Sequence, residues 1–397
     1  MNIVFFAHPV FLGSQSMPRF TDMLLEGMKR RGCNVKLLLP EPTLYRIPAP
    51  SVIRKWLGYI DQYVLFPMQI KKNLKRNDSD TLYVFTDHAL GPWVPLVAHR
   101  PHVIHCHDFL AQKSARKLVK ENPTGFLGRC YQWYIHRGYC KGNYFISVSN
   151  KTEQDLRSFL PGRPHKSRVV YNGMNRSLKP HPPAFARSLL SKCTGLDLSG
   201  GYVLHVGGNQ WYKNRRGVVD IYDAWRSSSK MSVPLIMVGK APDKKLRERY
   251  DHSAFRKDIH PVINLPDELI PFAYSGADVL LFPSLAEGFG WPIAEAMACG
   301  CPVITTDARP MTEVAGGAAY LIRMSGEGYA DSAFVMEAGR LIEKVLTMTL
   351  KERSKLVDAG LINAKRFDTE HSLDLIEKIY QDVLLTHKKK IKNRVAC

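Results

Sequence analysis

One pattern is laid down twice in this chain, and it limits the folds open to it. The sequence opens with a short apolar strand, Ile3-Val4-Phe5-Phe6-Ala7. A loop with Gly13, Ser14 and Ser16 follows, then a helical pattern through Phe20, Met23-Leu24 and Gly27-Met28. That helix stops at Arg30-Arg31-Gly32, a basic last turn with a glycine stop, and a second strand spans 35–39. At Tyr202 the pattern restarts. A strand at 202–206 runs into Gly207-Gly208-Asn209, Asn214 is placed to cap a helix bearing Val218, Val219, Tyr222 and Trp225, and a strand at 235–238 follows. Strands alternating with helices predict parallel sheets with helices on both faces, so the fold class is α/β with two doubly wound, Rossmann-like domains.

Further strands are predicted at 81–86, 103–106, 144–148 and 169–171 in the first half. In the second half they fall at 262–265, 279–282 and 303–305. Lys179-Pro180-His181-Pro182-Pro183 interrupts the pattern, because proline cannot continue a helix or a central strand. Residues 176–200 are therefore read as the inter-domain connection, with a short helix at 186–192. The predicted boundaries are 1–178, 179–369, and 370–397 for a terminal helix (to 385) with a loose basic tail. Domains of this type bind ligands outside the carboxyl ends of their strands.

Charge adds a second constraint. The net charge is +20, with 28 basic and 11 acidic residues before position 191 and 28 basic and 25 acidic after it. The excess belongs to the first half, which should meet something anionic: nucleic acid, a membrane or a phosphorylated substrate. No apolar run reaches about 18 residues, and the uncharged stretch 2–18 lacks a basic leader, so neither a membrane-spanning helix nor a signal peptide is expected. None of the eight cysteines forms a C-x-x-C pair. They are expected to be reduced in a cytoplasmic protein, with Cys299 and Cys301 ending a helix rather than holding a metal. One further segment, 54–75, places Ile53, Trp56-Leu57, Ile60 and Tyr63-Val64 at helical spacing between Arg54-Lys55 and Lys71-Lys72. A basic amphipathic helix can lie on an anionic membrane. The preferred reading packs its apolar face on the sheet and leaves the basic flanks at the surface.

The chain has no P-loop, no G-x-G-x-x-G after a strand, no H-E-x-x-H and no G-x-S-x-G. Chemistry concentrates instead in 280–303, LLFPSLAEGFGWPIAEAMACGCPV. A buried strand ends at Pro283-Ser284, a loop carries Glu287, Gly288, Phe289 and Gly290, and a helix begins near Pro292. Glu295 lies about one turn into that helix. Glycines let backbone N–H groups approach a ligand, and a helix N-terminus favours phosphate. Two carboxylates beside it can accept bonds from sugar hydroxyls. Together these answer the recognition problem posed by a nucleotide sugar.

The E-x7-E spacing of Glu287 and Glu295, with GFG and WPIAEAMACG around them, resembles the donor site of retaining GT-B glycosyltransferases of family four. The likeness spans nearly the whole chain, is strongest over 200–320, and implies two domains facing a cleft with the C-terminal helix crossing back to the first. It implies that Glu287 contacts the transferred sugar and that Glu295 binds the ribose. It also implies that Gly288, Phe289 and Gly290 hold the sugar and diphosphate through their amides. In the family an arginine often stands five residues before the diphosphate-binding lysine. Here Lys213 is present, but the arginine position is Gly208, so the diphosphate loses one side-chain cation; the Gly207-Gly208 pair could supply backbone N–H groups instead, Gly208 and Asn209 are assigned to donor binding, and Arg215 or Arg216 are candidate substitutes. His88, or second His107, matches the family histidine that contacts the transferred sugar. By the same resemblance Gly13 approaches the diphosphate. Arg19 binds an acceptor phosphate or is a surface charge on the first helix.

The resemblance implies a hexosyltransferase of polysaccharide biosynthesis. It would move sugar from GDP-mannose or a UDP-sugar to a lipid-linked or polysaccharide acceptor, with retention and without a metal or other cofactor. The domains would close about 176–200. The expected location is cytoplasmic and peripheral, with the basic half on the inner face of an anionic membrane and no specific nucleic acid as partner. Two alternatives stay open: a nucleotide-sugar epimerase of similar fold, and a basic binding protein without catalysis.

Overall fold

The computed structural model describes residues 1–12, 16–74, 80–164, 166–174, 178–323 and 331–395. The chain divides into two compact units: Met1–Asn175 with Thr369–Cys397, and Arg176–Asp368.

Unit 1 holds a six-stranded parallel sheet in the order β2-β1-β3-β4-β5-β6. Its strands are β1 Asn2–Phe6, β2 Asn34–Leu38, β3 Thr81–Phe85, β4 His102–Cys106, β5 Tyr144–Ser147 and β6 Lys166–Val169. All residues of β3, β4 and β5 are buried, as expected for central strands covered on both faces. One face packs under Phe66, Ile70, Trp93 and Ile135. The other packs under helix Ser16–Arg30 and the terminal helix Thr369–Val395, which contributes Leu373, Ile376, Tyr380 and Val383. That helix runs past its expected end at 385, through the segment expected to be a loose tail.

Unit 2 repeats the design, with β7 Val203–Val206, β8 Leu235–Gly239, β9 Ile259–Ile263, β10 Val279–Phe282, β11 Val303–Thr306 and β12 Tyr320–Ile322. Their order is β12-β11-β10-β7-β8-β9, again all parallel. β12 has no counterpart in the strands read from the sequence, and β9 begins three residues before its predicted start. The expected connection at 176–200 is also revised. Helix Pro183–Thr194 is packed within unit 2, where it buries Ala186 and Leu190 and pairs Arg187 with Asp278 at 2.8 Å. Where that segment is described, it is therefore core rather than linker.

Helices Ser51–Ile60 and Phe66–Leu74, joined by a π-helical turn over Asp61–Leu65, correct another expectation. Of the residues predicted to face the sheet, Ile53, Trp56, Ile60 and Val64 are exposed, Leu57 is half-buried, and Tyr63 packs against the core. Phe66, Ile70 and Leu74 take the core positions instead.

Candidate functional site

In unit 2, β7 and β10 are hydrogen-bonded neighbours, so the loops leaving their carboxyl ends lie side by side. The β7 loop is also pressed against the end of β8. A Cβ on Gly239, whose φ is +153°, would come within 2.1 Å of the Gly207 carbonyl oxygen, so only glycine fits. A 3-10 turn, Trp211–Lys213, then presents Lys213. Its Nζ donates to Oε1 of Glu287 at 2.8 Å, and Ser284 Oγ donates to the same oxygen at 2.6 Å. The ammonium also stands 5.0 Å from the centre of the Phe282 ring, at the end of β10. The Leu285 N–H donates to the Tyr212 carbonyl at 2.8 Å, and Ser284 Oγ lies 2.8 Å from the same carbonyl, its single proton shared between that oxygen and Glu287, which stitches the two loops together.

Asn214 differs from its expected role. It occupies the N-cap position of helix Arg215–Ser228 in a left-handed conformation, but its side chain donates to the Pro283 carbonyl at 3.1 Å rather than capping the helix. The loop-to-loop bond has replaced the cap.

After Glu287 come Gly288, Phe289 and Gly290. Gly290, with φ +105°, turns the chain into helix Trp291–Ala298. The first N–H groups of a helix lack intrahelical partners and carry its positive end, a setting suited to phosphate. The Phe289 ring is buried against Phe367 and Trp291, so that residue offers a ligand its backbone. Glu295 is buried in the same helix, and its Oε2 accepts from the Tyr274 hydroxyl at 2.8 Å. The two carboxylates of the E-x7-E spacing thus flank one glycine turn, and each is oriented by a neighbour. Cys299 and Cys301 are buried just past the helix. Among the described residues, no three His, Cys, Asp or Glu side chains are grouped to hold a metal ion.

Gly208 and Asn209 lie on the β7 loop. The Asn209 amide accepts from Arg215 and donates to the Ala241 carbonyl at 2.7 Å. Arg215, a candidate for the missing cation, is buried and also donates to the Lys240 carbonyl at 2.9 Å. Its guanidinium braces the loop from inside. Arg216 is exposed on the following helix.

In unit 1 the structure gathers His8, Asp87 and His88. The His8 Nε2 is 2.9 Å from Asp87 Oδ2, and the His88 Nδ1 is 2.9 Å from Asp87 Oδ1. Burial pushes the Asp87 carboxyl up, but the nearby His88 charge and the bond from His8 outweigh it and hold it well below the usual carboxylate range. His88 is buried, with its ring 4.4 Å from that of Phe109. His8 is the more exposed imidazole of the two. His8 and Asp87 were absent from the residues singled out by sequence; each follows a central strand directly, β1 and β3, and only the β1–β3 pairing brings them together.

His107 is buried, and its Nε2 donates to the Thr86 carbonyl at 2.9 Å, while burial lowers its basicity. That bond ties β4's end to β3's. Arg19 lies exposed on the first turn of helix Ser16–Arg30. Gly13 falls outside the described residues.

This geometry agrees with what the chain resembles. A family model described as Glycosyl transferases group 1 matches residues 200–341, and one described as Glycosyltransferase Family 4 matches residues 17–178. An MMP alpha-(1->4)-mannosyltransferase from Mycolicibacterium hassiacum is 33% identical over 301 residues, 70% of this chain and 69% of that protein. The chain belongs to the group 1 glycosyltransferases. An O-antigen chain mannosyltransferase B from Escherichia coli is 33% identical over 140 residues, 35% of this chain and 36% of that protein. For two further curated relatives the match spans 54% and 59% of the relative's own length. Among solved structures, Anabaena HepE in complex with UDP and glucose superposes with a TM-score of 0.71 at 18% identity, covering 96% of this chain and 100% of that one. The two units thus have the GT-B type of fold, as the sequence resemblance implied.

Proposed function

We propose that this group 1 glycosyltransferase transfers a hexose, mannose foremost, from a nucleotide diphosphate sugar to a hydroxyl of a lipid-linked or polysaccharide acceptor, with retained anomeric configuration. The observation that carries this reading is the Lys213–Glu287 pair beside the glycine-led helix Trp291–Ala298. It puts a cation, a carboxylate and helix amides around one turn. Mannose as the sugar is supported by two relatives that are mannosyltransferases, of an O-antigen chain and of MMP. GDP-mannose is therefore the first donor to test and UDP-sugars the second, since the similar HepE structure holds UDP.

In this mechanism the bond between the sugar's anomeric carbon and the diphosphate oxygen breaks. The acceptor oxygen bonds to that carbon on the same face, and the acceptor proton passes to the departing diphosphate. An ammonium carries three N–H groups, so the bond to Glu287 leaves Lys213 donors for diphosphate oxygens. With the helix amides, it stabilises the charge that develops there, and no divalent metal is invoked. Glu287 accepts from sugar hydroxyls and Glu295 from the ribose. In unit 1, His88 is assigned to the transferred sugar, with His107 and Arg19 on the acceptor side. The protein works at the cytoplasmic face of a membrane, held peripherally; among the described residues no helix is long and apolar enough to cross one.

A panel of nucleotide sugars, screened by thermal stabilisation and by turnover in EDTA, tests this directly. One donor should raise the melting temperature and turn over undiminished in the chelator. Lys213→Ala should lower its kcat/KM on the order of 10²–10³-fold, the usual effect of removing one charge-stabilising donor. Activity abolished by EDTA and restored by a divalent ion would refute the metal-free mechanism, and unchanged kinetics in the variant would remove Lys213 from the site.

A further inference from the structure

The apolar residues of unit 1 that turn away from its covered sheet form a surface with a consistent chemistry. Helix Ser51–Ile60 and the turn after it expose Ile53, Trp56, Ile60 and Val64 along one side. Helix Phe126–Tyr139 exposes Phe126, Leu127 and Trp133. Trp56 and Trp133 keep 52% and 58% of their surface open, whereas buried tryptophans of the same chain, Trp93 and Trp225, keep at most 1%. The two helices are neighbours. Tyr59 stacks on Tyr131 at 5.6 Å, the Tyr63 and Tyr131 hydroxyls are 2.6 Å apart, and Tyr134 meets Tyr63 edge-on at 5.7 Å.

Charge on this surface is predominantly positive. Residues 42–74 contain five Lys or Arg and a single acid, Asp61. That acid is buried, with its two oxygens taking the Leu44 and Tyr45 N–H groups at 2.9 Å. Residues 109–141 contain seven Lys or Arg and one acid, Glu121. Cations also stand over rings of this surface, Arg137 over the exposed Trp133 at 5.4 Å and Lys55 over the half-buried Tyr59 at 5.9 Å.

We infer that this paired-helix face of unit 1 is where the protein rests on an anionic bilayer, its aromatic and aliphatic side chains entering the headgroup boundary and its Lys and Arg reaching lipid phosphates. Aromatic rings and long cationic side chains with apolar stems suit that boundary. Acidic lipids supply the complementary charge. A nucleic acid would leave Ile53, Ile60 and Val64 without a role, and a second copy of the same face would bring like charges together. The inference rests on the peripheral location proposed above and gives it an address; it does not depend on the identity of the donor.

Flotation of the full chain with vesicles of equal parts phosphatidylglycerol and phosphatidylcholine, and with pure phosphatidylcholine, tests it. Wild type should float with the anionic vesicles at low salt and at least tenfold less with the neutral ones. Ile53→Ser/Trp56→Ser should reduce anionic binding tenfold or more, and Arg54→Gln/Lys55→Gln should flatten the salt dependence. Leu350→Ser, an exposed change in unit 2, should do neither. All these sites are exposed, and circular dichroism melts confirm that the variants fold. Equal binding by Ile53→Ser/Trp56→Ser and wild type would overturn this surface while leaving peripheral attachment standing. No wild-type flotation on either vesicle would overturn both, yet the nucleotide-sugar screen would still judge the donor reading separately. A dimer that the same double variant dissolves would make the occupant a second copy and also overturn the inference.

Discussion

At the scale of single residues, the most exposed choice is the absent arginine at position 208. A Cβ built on Gly208 would meet only the tip of the Gln210 side chain, 2.4 Å from Oε1, which can swing away. Gly208→Arg should therefore fold and add a cation to the diphosphate end of the site, lowering the donor KM several-fold in steady-state assays. An unchanged KM would mean that the loop amides already satisfy that charge. The same loop shows what sequence could and could not disclose about the site. Glu287 and Glu295 were legible because strand, glycine and helix signals sit in register around them, and Lys213 was legible through the family resemblance. The inward commitment of Arg215 was not, since it depends on Asn209 and the Lys240 carbonyl, partners set by tertiary packing. His8 and Asp87 stayed hidden for a related reason: they are far apart in sequence and meet only because β1 and β3 pair.

At the scale of elements, the terminal helix Thr369–Val395 is the part of unit 1 most open to a direct test. Its Tyr380 is fully buried, and its hydroxyl lies 2.7 Å from Nε2 of His105 on β4. Tyr380→Phe keeps the ring and strands that nitrogen, which should cost about 1–3 kcal/mol, read as a lower urea midpoint for unit 1. The helix was legible from its apolar spacing, and its outer turn is further secured where Arg31 and Arg30 pair with Asp374 and Glu370. Helix Ser51–Ile60 had the same periodicity and a different outcome. Periodicity reports that a helix has an apolar side; it does not report whether a protein core or another apolar medium lies against it. Strand β9 was misplaced because His260 and Pro261 interrupt its β-branched run, and Pro is tolerated there because β9 is the sheet's edge.

At the scale of the whole molecule, each unit buries a histidine that must stay neutral. Burial lowers His105 of β4 and His205 of β7 to about 3. In the unfolded chain each would titrate near 6.5. Below that value the unfolded state binds the extra proton first, so acid removes stability, at roughly 1.4 kcal/mol per pH unit for each histidine. Asp87 acts in the same sense at lower pH. Its depressed pKa contributes stability above the unfolded carboxylate value, and that contribution is lost only as pH falls below it. Melting temperatures of both units should therefore drop between about pH 7 and pH 5, and His205→Asn should flatten the profile of unit 2 alone. A profile identical to wild type would show that His205 is not the group being titrated.

The order of segments in the chain bears on how this protein is made. Unit 2 is contained in one continuous stretch, but unit 1 is built from two, and its second piece is synthesised after the whole of unit 2. A ribosome therefore releases the whole of unit 2 before unit 1 has its closing helix. Domains generally fold as units during synthesis, so the half that begins first is the half that finishes last. Until then, the surface that receives Leu373, Ile376, Tyr380 and Val383 is bare. A nascent chain arrested near residue 368 would be expected to carry a finished second unit and an unfinished first one.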